Sequence, residues 1–263
     1  MKKDRGDMYQ KLGVDSGKGN VREIFSRIIK NDFPGAWVNI VRDPDDPNFV
    51  LTGHNDGDGS KFLQRLLHYL ETGGDYRVFK GVLDDGLIMN GADIGAAGFV
   101  YGIWLVTDFL NVALPPKIKE DVMRAIAERA EELMKIFADN DLSLKFFFLG
   151  GETADLPNQV RSGVFDVSIA ARMRAENVIT GKVQPGDIIF GLRSDGMAAW
   201  EKRPNSGLMS NGSTLGRSCL MSRQYNRKYP FLAKRTIDFS ARPFYKQALP
   251  FLWPVESCNF FKG

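Results

Sequence analysis

The order of apolar patterns along the chain predicts an α+β fold. Helix-type periodicity and strand-type runs are mixed, and some strand patterns follow one another with no helix between them. A doubly wound parallel sheet would require a helix after each strand. The sequence therefore favours a mixed sheet with flanking helices.

The individual elements follow from their spacing. Apolar residues at helical intervals predict helices over residues 21–29, 63–70 and 117–138, the last opened by Pro115-Pro116. Continuous or alternating apolar runs predict strands over residues 49–51, 99–110, 145–149, 165–171 and 188–192. A turn is expected at Pro185-Gly186-Asp187 and a helix after residue 212, while residues 84–95 receive no assignment.

The composition is that of a globular protein. The 263 residues are 43% hydrophobic and 25% charged, enough for one large domain or two smaller ones. The longest apolar region, residues 96–114, is interrupted by Asp108 and Asn111, and the first residues lack the apolar core of a signal peptide. Two cysteines, Cys219 and Cys258, fit a reducing compartment. These features predict a soluble cytoplasmic protein.

The charge is unevenly distributed along the chain. The net charge of +3 is too small to indicate nucleic acid as a partner. Residues 219–263, however, contain eight basic and two acidic side chains, whereas the preceding 218 residues carry a net charge of −3. The last 45 residues are therefore a strongly basic tail on a mildly acidic body.

The most informative stretch is the segment from His54 to Lys61, with the sequence HNDGDGSK, between a predicted strand and a predicted helix. Its glycines allow backbone N–H groups to turn toward an anion, and a helix start adds free N–H groups. Lys61 supplies a positive charge for phosphate, and Asp56 and Asp58 suit Mg²⁺. The stretch therefore predicts a site for a metal–triphosphate.

Two other interpretations of this stretch stay open. A calcium loop needs an acid at its first position and Glu at its twelfth, where this chain has His54 and Arg65. A polar turn that binds nothing would also be rich in Gly and Asp. Catalysis by a nucleophile and a histidine is poorly supported, because the chain has only two histidines.

Several short motifs occur in an order that resembles a known family. They are DGDGSK (56–61), the segment around Asp93, GGETAD (150–155), a strand with Asp166, PGDIIFGL (185–192) and SGLMSNG (206–212). In this order they resemble the aminoimidazole ribonucleotide synthetases, also called phosphoribosylformylglycinamidine cyclo-ligases, and their PurM-like ATP-binding superfamily. The resemblance runs from about Tyr9 to Arg217.

The resemblance implies a fold and a reaction. Two α+β domains are expected, residues 1–173 and a partial second domain over residues 174–263, with an atypical basic tail from about residue 219. The first domain would join its twin in a homodimer with a shared β-barrel and ATP bound near the interface. The implied reaction, a step of purine biosynthesis, uses ATP to convert formylglycinamidine ribonucleotide to aminoimidazole ribonucleotide. ATP phosphorylates the amide oxygen, and an internal nitrogen then displaces phosphate.

The resemblance also implies roles for individual residues. Asp56, Asp93 and Asp85 match acids that bind Mg²⁺, and Lys61, Glu152 and Asn211 match catalytic positions. The residues that would contact ATP are Gly57, Gly59, Ser60, Lys61, Gly150, Gly151, Thr153 and Ser210.

Three positions depart from the family pattern. Asp58 stands where the family has valine and adds negative charge where phosphate would approach, and Ser60 replaces threonine. Met209 stands where the family has histidine before its Ser-Asn-Gly turn, and a thioether cannot transfer a proton. Beyond Arg217 the resemblance stops. A reading frame shifted or truncated after about Ser218 would explain this, as would a genuine tail whose basic, aromatic surface binds RNA or a partner.

The leading hypothesis is an ATP- and Mg²⁺-dependent protein of the cyclo-ligase type, which binds ATP and, given Met209 and the missing distal segment, turns over the ribonucleotide weakly or not at all. A second hypothesis is a non-catalytic relative that serves as a binding or regulatory subunit. A third is another kinase or synthetase of the superfamily.

Overall fold

The structure is a computed structural model that describes Leu12 and residues 19–139, 143–191, 195–197, 202, 204 and 212–230. The chain divides into two compact units, one of residues 29–192 and one that combines residues 1–28 with 193–263. The domain boundary expected at residue 173 stays a prediction.

The helices and strands in the described residues have the following bounds. The smaller unit contains α1 (Gly19–Phe25), α5 (Ser213–Leu220) and α6 (Arg223–Lys228). The unit of residues 29–192 contains α2 (Lys61–Glu71), α3 (Lys80–Ala96) and α4 (Pro116–Asp139), together with β1 (Val41–Arg42), β2 (Phe49–Gly57), β3 (Gly102–Val112), β4 (Leu144–Asp155) and β5 (Gly163–Arg174).

The five strands form one mixed sheet in the order β1-β2-β5-β3-β4. The pairs β1–β2, β2–β5 and β5–β3 are antiparallel. β3 and β4 are parallel and are connected by α4, as a parallel pair requires a long crossover. The predicted α+β fold, a mixed sheet with flanking helices, is confirmed.

The helices cover one face of the sheet and form the core with it. Along β5, alternate side chains from Phe165 to Met173 are buried, and those between them face outward. α2 contributes Phe62, which is fully buried, and α3 contributes Val82 and Leu83. The predicted apolar face of the long helix is confirmed at Val122, Ile126 and Leu133. None of the helices in the described parts of the chain has the length and apolar character needed to cross a bilayer.

The opposite face of the sheet carries apolar side chains that no described element covers. The exposed members are Leu105, Phe109, Phe147, Leu149 and Val164, contributed by β3, β4 and β5. We call these five residues the open face. Below them a shallow groove of about 450 Å³ is lined by Gly53, Asn55, Thr107 and Ser168, among others. An apolar sheet face of this kind is typical of an interaction surface.

The unassigned residues 84–95 form most of the helix α3. Their glycines disfavour a helix in isolation, which is why the pattern gave no prediction. In the structure these glycines allow α3 to approach the sheet closely. A Cβ added at Gly86 would lie 2.7 Å from Val167 Cγ2, and one at Gly91 would lie 2.9 Å from the Trp104 ring. Tertiary packing therefore overrides the local preference.

Three predicted strands need correction. The strand predicted over residues 49–51 continues to Gly57, and the one predicted over 145–149 continues to Asp155, because neighbouring strands pair with both extensions. The predicted strand over 188–192 is wrong for the described residues 188–191, which have no regular structure. Their side chains are exposed, Ile189 by 96%, and no described strand pairs with them.

The packing of α3 gives a first testable prediction. Gly86→Ala should lower the free energy of unfolding, because its methyl group meets the rigid, buried Val167. Overpacking of this kind costs about 1–3 kcal/mol, partly offset by the better helix propensity of alanine, about 1 kcal/mol. Urea denaturation followed by circular dichroism measures the change.

Gly95→Ala is the matched control in the same helix. Its methyl group would lie 3.5 Å from Val100 Cγ1, an ordinary contact, so this variant should be slightly more stable than the unmodified chain. Equal stability of the two variants would show that α3 does not approach the sheet as described.

Candidate functional site

The glycine loop, residues 57–60, connects β2 to α2 and is fixed by its backbone. Gly57 pairs with Asp166 of β5 so closely that a Cβ at position 57 would lie 2.3 Å from Asp166 Oδ1. The Asp58 N–H donates to Phe165 O at 3.1 Å. Gly59 has a φ of +55°, which favours glycine, and α2 then begins at Lys61. The predicted strand–loop–helix arrangement is therefore present.

Lys61 and Arg65 lie one turn apart on α2, and both bind the carboxylate of Asp85 on α3. Lys61 Nζ is 2.7 Å from Asp85 Oδ1, and the Arg65 guanidinium contacts Asp85 Oδ2. The three side chains are between 12% and 21% exposed, so this ion-pair cluster is largely withdrawn from solvent. Asp85 is thus neutralised by two cations, and the geometry gives it no free oxygen for a metal ion.

Asp58 is fully buried beneath the glycine loop, and neither carboxyl oxygen has a described hydrogen-bond partner. Burial raises the pKa of Asp58 from 3.8 to about 8; the charge of Arg65 opposes this rise, and those of Asp85 and Asp166 add to it. The carboxyl group therefore keeps its proton at neutral pH. This lessens the negative charge that the sequence places where phosphate was expected to approach.

Asp93, near the end of α3, is held by side chains from two other parts of the chain. Trp37 Nε1 donates to Asp93 Oδ1 at 3.0 Å, and His54 Nε2 lies 3.3 Å from Asp93 Oδ2. The other ring nitrogen of His54 lies 2.8 Å from Asn90 Oδ1. The Asp93 carboxylate remains 41% exposed, so it is oriented and still accessible.

Asp56 lies at the end of β2 with its Oδ1 accepting from the Gly57 N–H at 2.7 Å. Burial, followed by the charge of Asp56, raises the pKa of the nearby Asp166 carboxyl. Among the described residues, no group of three or more His, Cys, Asp or Glu side chains is placed to hold a metal ion. Mg²⁺ usually takes only one or two carboxylates and completes its shell with phosphate and water. The partly accessible Asp56 and Asp93 fit that requirement; Asp85 does not.

The GGETAD segment lies inside β4 and not after it, which corrects the sequence interpretation. The register against β3 shifts between Val106 and Asp108, and the extra residue on β4 forms a bulge at Gly150, whose φ is +80°. The bulge precedes Glu152, which pairs with Phe109 and is exposed. Gly151 is equally constrained, because a Cβ there would lie 1.9 Å from Asp108 O. Thr153 follows Glu152 on β4 and is exposed.

The structure brings only some predicted site residues together. Lys61 joins Asp85, whereas Asp93 belongs to a separate group with His54 and Trp37. Ser60 immediately precedes α2, and its side chain makes no capping hydrogen bond to the helix. Ser210 and Asn211, like Met209, lie outside the described residues. The roles of all these residues stay predictions.

The sequence interpretation missed Arg65, Asn90 and Trp37. Arg65 carried a signal, since it follows Lys61 by four residues and so lies on the same face of α2. Asn90 and Trp37 carried none, because their partners are 34 to 77 residues away along the chain.

Comparison with known proteins agrees with the resemblance drawn from the motifs. The chain is similar to phosphoribosylformylglycinamidine cyclo-ligases from Anaeromyxobacter sp. (31% identity over 115 residues, 42% of this chain and 30% of the relative) and Saccharolobus solfataricus (28% over 200 residues, 73% and 54%). The chloroplastic/mitochondrial enzyme of Vigna unguiculata is 28% identical over 224 residues, 82% of this chain and 47% of the relative. No protein-family model matches.

Solved structures give only distant matches. Phosphoribosylformylglycinamidine synthase II from Thermotoga maritima aligns over 66% of this chain and 24% of its own, with 12% identity and a TM-score of 0.39. Thiamine monophosphate kinase from Aquifex aeolicus aligns over 65% and 45%, with 13% identity and a TM-score of 0.34. Scores this low carry no weight for the fold, which rests on the sheet and helices described above.

The chain is therefore an α+β protein with a glycine loop between β2 and α2. More particularly, it is a divergent relative of the phosphoribosylformylglycinamidine cyclo-ligases, and the resemblance inferred from its motifs is confirmed. It spans about half or less of the length of these three curated relatives.

The burial of Asp58 predicts a pH dependence of stability. The folded chain retains a proton that the unfolded chain releases between about pH 4 and about pH 8, so stability should fall as pH rises through that window. Each unit of difference in pKa is worth about 1.4 kcal/mol. Asp58→Val should remove this slope and raise the free energy of unfolding at about pH 8 by a few kcal/mol.

Asp58→Asn separates the proton from the polarity. It cannot titrate, so it should also flatten the pH dependence, but it leaves a buried polar group without a partner and should be less stable than Asp58→Val. Urea unfolding at about pH 5 and about pH 8 tests both variants. An unchanged slope in Asp58→Val would mean that Asp58 is not buried as described.

Proposed function

We propose that this chain binds ATP at the glycine loop and acts as an ATP-dependent enzyme of the cyclo-ligase type. The observation that carries the proposal is the similarity to these cyclo-ligases, which extends over 82% of the chain in one relative. The strand–loop–helix arrangement of residues 49–71 supports it, because a glycine loop before a helix is suited to phosphate.

The loop would bind phosphate through its backbone and through Lys61. Lys61 is the first residue of α2, and positive charge at a helix start adds to the field of the helix dipole. The protonated Asp58 does not oppose an incoming anion. In a phosphoryl transfer of this kind the protein mainly orients the groups and offsets charge.

Mg²⁺ would be held by Asp56 and Asp93. Metal-bound phosphate would gain charge neutralisation when this ion is present. Asp93 is preoriented for the task by Trp37 and His54, and neither contact consumes both lone pairs of its oxygens.

The proposed reaction is ring closure of formylglycinamidine ribonucleotide to aminoimidazole ribonucleotide, as in the named relatives. Glu152 and Thr153 lie on the accessible end of β4, with Asp166 on the same face of the sheet one strand beyond β3. This row would contribute polar groups for the second substrate. Met209, which replaces a histidine of the family pattern, favours the second candidate, a relative that binds ATP without catalysis.

A homodimer is part of the proposal. The open face presents Leu105, Phe147 and Leu149 without a described cover, and self-association would bury them. A barrel shared between two chains would also protect the long edge of β4, which pairs only with β3 in the described structure.

The variant Asp93→Asn tests the nucleotide site. It should weaken Mg·ATP binding at least tenfold, about 1.4 kcal/mol, because the amide loses the charge that the metal needs. The Trp37 contact is preserved, since an amide oxygen can still accept from Nε1. Titration calorimetry measures the affinity, and ADP release with and without formylglycinamidine ribonucleotide measures the reaction.

Asp75→Asn is the matched control, since Asp75 pairs with Arg77 in an exposed turn away from the loop. It should leave the affinity unchanged. Equal affinity of Asp93→Asn and the unmodified chain would remove Asp93 from the site. ATP binding with no ribonucleotide-dependent ADP release would favour the non-catalytic candidate.

The variant Phe147→Glu tests the homodimer. The unmodified chain should sediment at twice its 29.4 kDa mass, and a charge in the open face should give a monomer because it would be buried without a partner. Sedimentation equilibrium at micromolar concentration gives the mass.

Met123→Glu provides the control for this change. Met123 is 42% exposed on the outer side of α4, close to the 47% of Phe147, so only its location differs. It should remain a dimer. An unmodified chain that is monomeric would refute the self-association of the open face.

A further inference from the structure

We propose that Arg65 is a positioning residue that allows Lys61 to leave Asp85 and bind an incoming phosphate group. The inference rests on the proposed function in one respect, namely that the ligand of the glycine loop is a polyphosphate. It assigns a task to a residue outside the motifs of the sequence, and it explains why one carboxylate has two cationic partners.

Arg65 is the fixed partner of Asp85. Its guanidinium donates to Val78 O at 3.1 Å and to Gly81 O at 3.0 Å in addition to its contact with Asp85. A Cβ at Gly81 would lie 2.5 Å from the Arg65 Nη atoms, so the site has room for the guanidinium only because residue 81 is glycine. Arg65 therefore has a closely fitted seat between α2 and the start of α3.

Lys61 is the partner that can move. It is the first residue of α2 and lies directly after the glycine loop, whereas Arg65 lies one turn inside the helix. Its ammonium group is carried on a flexible stem of four carbons, and its donors are not fixed in a planar fork. A rotation of this stem would carry the charge from Asp85 toward a ligand at the loop.

The second cation makes this exchange energetically accessible. If Lys61 were the sole partner of Asp85, its departure would leave a carboxylate that is only 16% exposed without compensation, which is strongly unfavourable. Arg65 remains on Asp85 Oδ2 and continues to neutralise it. The incoming phosphate then competes for Lys61 against a carboxylate that is already satisfied.

The experiment measures binding of sodium tripolyphosphate without metal, and of Mg·ATP, by titration calorimetry. Arg65→Met should weaken both affinities about tenfold, the size expected for one charge-assisted hydrogen bond, because Asp85 then retains Lys61. Asp85→Asn should bind tripolyphosphate at least as tightly as the unmodified chain. The double variant Arg65→Met/Asp85→Asn should recover the affinity of Asp85→Asn, since no carboxylate remains to retain Lys61.

Two further variants separate the effect from a loss of folding. Arg65→Lys keeps a cation beside Asp85 while it loses the planar fork, and should bind within a few-fold of the unmodified chain. Arg129→Met removes another half-buried guanidinium, which pairs with Asp84 between α4 and α3, and should leave the affinity unchanged. Thermal unfolding followed by circular dichroism reports whether each variant is folded.

Recovery in the double variant is the decisive result, because a merely structural role of Arg65 would not be rescued by a second substitution. The inference is overturned if Arg65→Met binds tripolyphosphate normally, if the double variant stays as weak as Arg65→Met, or if Asp85→Asn itself loses tripolyphosphate binding. Failure of the unmodified chain to bind either ligand would overturn the proposed function as well.

Discussion

The buried amide of Asn90 fixes α3 against the sheet, and the arrangement of the candidate site depends on it. Its Nδ2 group donates to the carbonyl oxygens of Asp56, Gly86 and Val167, so its Oδ1 is left to face the Nδ1 of His54. One fully buried side chain thus joins β2, β5 and α3. An unsatisfied amide at this depth would cost about 1–3 kcal/mol, which makes the arrangement specific.

Two groups of charged side chains follow from that geometry. Because α3 is held close to β2, Asp85 meets the cations of α2, and Asp93 meets His54. The first group is largely withdrawn from solvent and neutralised internally, whereas the second keeps an accessible carboxylate. The chain therefore separates a structural use of acidic residues from one suited to a ligand, although both acids lie on the same helix.

Much of the fold was predictable because local patterns and tertiary packing agree. The amphipathic residues of α4 determine its bounds to within about a residue, and the alternation in β5 predicts which side chains are buried. α3 was not predictable, since Gly86 and Gly91 oppose a helix locally and are required only by the nearby Val167 and Trp104. The strand ends at Gly57 and Asp155 were missed for a similar reason, because pairing across the sheet extends them.

For the candidate site, the sequence by itself determined the family resemblance, the glycine loop and its acids and lysine, since these depend on residue types at fixed local spacing. Only the tertiary structure decided which acids are available. Asp85 is occupied by Lys61 and Arg65, Asp58 is buried and protonated, and Asp93 is oriented by Trp37. The physical reason is that charge state and accessibility are set by neighbours distant along the chain, whose positions no local pattern records.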